Sequence, residues 1–231
     1  MATDVLVIPY GSGGVPVSLA TVPCATIERA RRRPLRLSDG GYDFAEPPAP
    51  ARLVDGAAQL AFLRDHLIGL CDPWAAHQRR FIERYVGFVA WRVAGLGDAL
   101  GARLARFGDL YRIEDFSFAA LRPLPRAHLR RADGAGWIAT DFAFWTGDTV
   151  IALDIADTRR TSRQCTADHA VLRDAGVTVV ALAPDALTGD MAGFAALLPA
   201  ALVDFCTGAA LPSSPFKAAA LGDIVDGNLR F

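Results

Sequence analysis

The sequence predicts an α/β fold in which a mixed sheet is flanked by helices. Three observations carry this. Residues from Asp55 to about Phe107 repeat apolar positions at helical spacing, whereas short β-branched runs between polar turns dominate the second half. From about residue 96 the order reads helix, three strands, helix, strand.

The first element is a pair of β segments, "DVLVIPYGSGGVPVSLATV", about the turn Gly11–Gly14. The glycines invite a phosphate-loop reading, but no GKS or GKT follows and "VPVSLATV" has strand character. "ERARRRPLRLSDGGYDFAEPPAPARL" then reads as a long surface loop, with Arg31, Arg32 and Arg33 a solvated charge run. "GAAQLAFLRDHLIGLC" sets Leu60, Leu63, Leu67 and Leu70 on a helical stripe. In "DPWAAHQRRFIERYVGFVAWRV", Asp72 is placed to cap a second helix with Pro73 in its first turn. "LGDALGARLARFGDLY" is a third helical piece. His66 and His77 have no acid or histidine at ligand spacing and read as packing or surface residues.

In the second half, "DFSFAALRPL" is expected as a strand ending at Pro123, "GWIATDFAFW" as a second and "DTVIALDIAD" as a third. "TSRQCTADHAVLRDAG" reads as a helix closed by Gly176, and "VTVVALAP" as a strand stopped by Pro184. Pro199 should bend or break the last helix, "DMAGFAALLPAALVDFC". The division expected is 1–95, a β-hairpin plus helical region; 96–210, the core; and 211–231, a tail.

Composition narrows the function. The chain has 231 residues, 52% hydrophobic and 21% charged, as a globular protein does. A net charge of −1 gives no global field for nucleic acid, so such contact needs a local patch. Cys24, Cys71, Cys165 and Cys206 are too scattered for a CxxC zinc site. "MATDVLVIPYGSGG" lacks the pattern of a signal peptide, and Arg92 and Asp98 break the run "YVGFVAWRVAGLGDALG" before it could span a bilayer. A reduced cytoplasmic setting with no membrane association is the expectation.

Asp141 and Asp154 stand on apolar strands, where a carboxylate needs a partner. With Thr146-Gly147 as the turn, Asp141 lies opposite Ala152 and diagonal to Asp154. The two acids and Ala156 then share one face. A four-residue loop is expected to keep this arrangement, whereas a three-residue loop would put the acids on opposite faces. Two carboxylates so gathered suit a hard cation such as Mg²⁺, which keeps several waters; on spacing alone the acids equally read as strand-end residues left in solvent.

The element order, with acids on the second and third core strands, resembles the PD-(D/E)XK nuclease superfamily, the restriction-endonuclease-like fold. Over residues 96–183, "TDFAFWTGDTVIALDIAD" and "DHAVLRDAGVTVVAL" are similar to the branch of very-short-patch repair endonucleases. The resemblance implies a core of order α-β-β-β-α-β, here elaborated by an N-terminal hairpin and helices. It implies Mg²⁺ or Mn²⁺ held by Asp141, Asp154 and the carbonyl of Ile155. Glu114 takes the place of an extra acid that some members carry. It implies hydrolysis of nucleic-acid phosphodiesters.

Ala156 stands where the family has Lys, and Thr140 where it has Pro; the only Lys of the chain is Lys217. Substitutes are at hand in Gln164, which could orient a water, and in His169, since a histidine does part of this task in the repair-endonuclease branch. Arg126, Arg130, Arg131, Arg159, Arg160 and Arg163 are candidates for a nucleic-acid backbone. The missing Lys also supports a second reading: a degenerate nuclease fold serving as a structural or nucleic-acid-binding component of an assembly. A protein partner or a second copy would then meet the helical N-terminal half. A third reading is a small-molecule-binding α/β domain with its ligand at the strand end "VTVVALAPD".

Overall fold

The structure is a computed structural model that describes residues 6–10, 15–19, 33–39, 55–130, 136–156, 162–207 and 214–216. Six strands form one mixed sheet in chain order: β1 (Leu6–Tyr10), β2 (Val15–Leu19), β3 (Leu124–Arg130), β4 (Trp137–Trp145), β5 (Val150–Ile155) and β6 (Thr178–Leu182). All neighbours are antiparallel except β5 and β6, which run parallel because a helix crosses between them. The helices are α1 (Gly56–Leu70), α2 (Ala76–Gly95), α3 (Gly97–Leu104), α4 (Ser162–Asp174), α5 (Met191–Ala196) and α6 (Ala200–Val203). The α/β expectation holds. Among the described residues no helix is long and apolar enough to cross a membrane.

Two apolar clusters lie on the two sides of the sheet. One gathers Phe142, Phe144, Ile151, Leu153 and Ile155 with α1, α2 and the C-terminal helices. Phe81 is its centre, with its ring 4.6 Å from Phe142 and 5.8 Å from Tyr85. Tyr85 donates to the carbonyl of Leu121 at 2.8 Å, which satisfies the one polar atom this ring buries. The cluster draws on residues from Leu37 to Cys206, on both sides of the boundary expected at 95. The second cluster is smaller: Ala143, Trp145, Val150 and Ala152 pack with Leu172 and Val177, at the C-terminal end of α4 and just beyond it.

Several elements begin where expected. Asp55 caps α1, its carboxylate accepting from Ala58 N–H at 2.6 Å. Gly176 follows α4 with φ +83°, and Pro199 separates α5 from α6. The Gly11–Gly14 turn lies outside the described residues, but the strands it joins pair as a hairpin.

Three local expectations fail. Asp72 does not cap α2, which starts at Ala76; its carboxylate instead accepts from Trp74 N–H at 2.9 Å and shapes a turn before the helix. "DFSFAALRPL" is not a strand: Ile113–Ala119 is a 3₁₀ helix, and β3 begins only at Leu124. A short run with Phe at alternate positions satisfies either geometry, and the buried Asp115, accepting from Arg112 N–H at 2.8 Å, fixes the turn. Nor are residues 33–39 a surface loop. Leu35 and Leu37 are fully buried, and they hydrogen-bond along the backbone to Trp145, Arg122 and Ala120.

Candidate functional site

The site forms where the strand alternation slips. On β3, Leu124, Ala127 and Leu129 all face the α4-side cluster, so one step of the alternation is three residues long. On β4, Ile138 and Ala143 share that side although they are of opposite parity. The pairing Pro125↔Phe142 and Ala127↔Thr140 puts Arg126 and Asp141 at the slip. Arg126 has φ +56°, which a side-chain-bearing residue adopts only where its surroundings enforce it.

The slip sets the direction of Asp141. Its Oδ1 accepts from Gln78 Nε2 at 2.8 Å and lies 2.9 Å from His77 Nε2, both on the first turn of α2. Its Oδ2 accepts from Ile155 N–H at 2.8 Å. Asp154 keeps phase with Val150 and Ala152 and turns toward α4, where its Oδ2 is 2.7 Å from His169 Nε2. Asp154 Oδ1 accepts from the Asp141 N–H at 3.0 Å. Thus, at this end of the pair, carboxylates take the backbone donors that a regular ladder would use.

The expected two-residue turn is a four-residue loop, Thr146–Thr149, since Trp145 pairs with Val150. The Thr146 N–H closes it by donating to the Thr149 carbonyl at 3.0 Å. Continuing that register puts Asp141 opposite Asp154, not Ala152. The acids therefore meet, as expected, but they do not share a face. One is held from the α2 side and the other from the α4 side.

Both acids line one cavity of about 620 Å³, together with Asp72, His77, Gln78, Arg126, Ala156, Cys165, Thr166 and His169. Ala139, Ala156, Ala181 and Ala75 make much of its wall apolar. Ala156, at the position where the resemblance expects Lys, is exposed and lines this cavity.

The other site candidates separate. His169 is buried at 8% exposure against Asp154, and the carbonyl-bearing Ile155 lines the cavity. Arg126 also lines it. Gln164, expected to orient water, is not among the lining residues; its amide donates to Asp168 Oδ1 at 3.0 Å along α4. Glu114 is exposed beside Gly56 at the start of α1 and does not reach the cavity lining. Arg163 is exposed on α4 and is likewise absent from the lining. Arg131, Arg159, Arg160 and Lys217 lie outside the described residues, as does the side chain of Arg130.

His77 and Gln78 are the site residues that sequence reasoning missed. His77 reads as a packing histidine because its acid is 64 residues away, on a strand the helix packs across. One signal was present: an isolated His-Gln pair opening a helix otherwise rich in aromatic core positions.

Of the oxygen donors that the resemblance implies for a cation, Asp141, Asp154 and Ile155 all line the cavity. Among the described residues no three His, Cys, Asp or Glu side chains are grouped for a metal ion. Mg²⁺ commonly takes one or two carboxylates and completes its shell with water, so the chemistry of this carboxylate pair is of the kind it uses. The oxygen with least spare capacity is Asp141 Oδ1, which already meets both His77 and Gln78.

Comparison of the chain with protein-family models, with curated proteins and with solved structures finds no match.

Proposed function

We propose that the protein has a restriction-endonuclease-like core and hydrolyses nucleic-acid phosphodiester bonds with a divalent cation. The observation that carries this reading is the meeting of Asp141 and Asp154. They stand on adjacent strands of an antiparallel three-strand unit, which a helix then links to a parallel fourth strand. The order supports the resemblance, with Leu124–Arg130 in place of "DFSFAALRPL" as first strand and with the two acids held from opposite sides of the sheet.

In this reading Asp141, Asp154 and the Ile155 carbonyl would hold Mg²⁺ or Mn²⁺, which when bound would supply an acidified water and neutralise phosphoryl charge. The protein's own groups do the rest. His77 and Gln78 fix the Asp141 carboxylate, and His169 fixes that of Asp154. Arg126 contributes a permanent positive charge at the cavity for a phosphate. His169 is engaged with Asp154 through Nε2, so only its Nδ1 would be left to take the proton of an attacking water, a task Ala156 has no nitrogen to share.

The test is cleavage of labelled single- and double-stranded DNA and of RNA with Mg²⁺ or Mn²⁺, against an EDTA blank. Asp154→Asn should lose more than about a hundredfold in rate, beyond the range of outer-shell changes. It should also weaken Mn²⁺ binding measured calorimetrically. One observation favours a second reading, a binding component without catalysis: Ala156 at the Lys position. Binding of nucleic acid with no cutting by wild type or mutant would select it.

A further inference from the structure

Strand β4 is covered unevenly. From Phe142 to Trp145 every residue is buried, but at its start Trp137 and Ala139 are exposed while Ile138 and Thr140 are buried. The cause is where α2 begins. Its first turn meets Asp141 through His77, and Phe81 packs on Phe142, so this helix covers the sheet from Asp141 onward and not before it. The other side of the same region is closed, with Ala127, Leu129 and Ile138 in the second apolar cluster.

The uncovered face carries basic residues. Strand β3 reads "LPRAHLR" and sets Arg126, His128 and Arg130 at every second position, a step of about 6.8 Å along a strand. Arg126 and His128 are exposed, and His128 pairs with the exposed Ala139, so these two share the face. Arg130 holds the register position opposite Trp137. Among the described residues the side chains of Arg126 and His128 make no ion pair or hydrogen bond. Arg126 and Ala139 also line the cavity that holds Asp141 and Asp154. The row therefore starts beside the acids and runs outward along β3.

Resting on the nuclease reading, we propose that the backbone of a nucleic-acid strand lies along this half-sheet, with successive phosphates at Arg126 and His128 and the strand continuing into the cavity. A basic row with a regular step suits a polyanion whose charges recur along a line. A compact anion would need its donors converging on one point. Guanidinium and imidazole N–H groups donate to phosphate oxygens whatever the base sequence. A net charge of −1 gives the chain no general attraction for a backbone, so the row supplies it locally.

The experiment is fluorescence anisotropy on the full chain, with EDTA present to prevent cutting. The probes are a labelled DNA strand of about 16 nucleotides and the blunt duplex made from it. His128→Glu sets a carboxylate in the row and should weaken binding by about tenfold. Leu110→Glu makes the same change of charge at a side chain 74% exposed outside the row, and should stay within about twofold of wild type. Arg126→Gln should lower the slope of log affinity against log salt by about one. Thermal melting checks that each variant is folded. A His128→Glu variant that binds as wild type, an equal loss in Leu110→Glu, or an unchanged salt slope in Arg126→Gln overturns the proposal. So does a His128→Glu variant that changes only the sedimentation mass, which would make the face a contact between copies, and so does a wild type that binds neither probe. The nuclease reading is scored separately, by metal-dependent cutting and its loss in Asp154→Asn.

Discussion

Asp154 and Asp141 are one hydrogen bond apart, yet they are held in different ways. Asp154 meets His169 from α4, the helix that directly follows its own strand, 15 residues on. Asp141 meets His77 and Gln78 from α2, 64 and 63 residues earlier. The first arrangement is internal to the α-β-β-β-α-β unit. The second exists only because the N-terminal half packs α2 across the sheet, with Phe81 against Phe142 four residues beyond His77. The difference teaches that the N-terminal half is part of the site.

The largest expected effect separates the two histidines. If His169 moves a proton and also orients Asp154, His169→Ala should lower turnover by about 10²–10⁴, the span of general acid–base catalysis. If His77 only positions, His77→Ala should lose about ten- to a hundredfold, because Gln78 still donates to the same oxygen. Its loss should fall partly on the Mn²⁺ affinity, which calorimetry reads without activity. A His77→Ala variant as damaged as His169→Ala would break the distinction and make the helix face an equal partner.

Two glutamines offer the next contrast, in stability. Gln78 is buried and satisfies both the turn at Asp72 and the carboxylate of Asp141. Gln78→Ala should cost about 1–3 kcal/mol in a denaturant titration, the range for stranding buried polar partners. Gln164 is exposed and bonds the buried Asp168 one turn along α4. Gln164→Ala should cost no more than about 0.5 kcal/mol. Similar values for both would mean that the Gln78 bridge is not rigid.

The Asp154 side of this comparison was legible in the sequence and the Asp141 side was not. Strands β4, β5 and β6 and helix α4 announce themselves by β-branched runs, a closing glycine and turn residues, and these local signals survive in the fold. The acids were found because carboxylates on apolar strands demand partners. Two things escaped. Period-two alternation has no term for the slip at Arg126, so Asp141 was assigned the face of Asp154. Helix α2 reads as an amphipathic helix with a histidine on it, and nothing local says which strand that histidine will cross. The 3₁₀ segment at Ile113–Ala119 failed for a related reason: a run of seven with two phenylalanines fits both periods, and tertiary burial of Asp115 decided it.

The smallest expected effect concerns a thiol on the Asp141 side. Cys71 follows α1 at 4% exposure, with its Sγ donating to the Leu67 carbonyl at 3.4 Å. Burial pushes its pKa from 9.0 up to about 12, and the nearby Asp141 carboxylate adds to the rise. The folded chain therefore keeps the Cys71 proton above pH 9, where the unfolded chain releases it. The thiol's contribution is complete below pH 9 and is lost as pH rises toward 12. Replacing Cys71 by Ala should remove that loss, so the stability gap between wild type and variant should shift in the variant's favour by about 1 kcal/mol between pH 8 and 10. A pH-independent gap for Cys71→Ala would show that water reaches this thiol. The α2 side of the site would then be as open as the α4 side, and the Asp72–Gln78 turn would have to be looser than its hydrogen bonds imply.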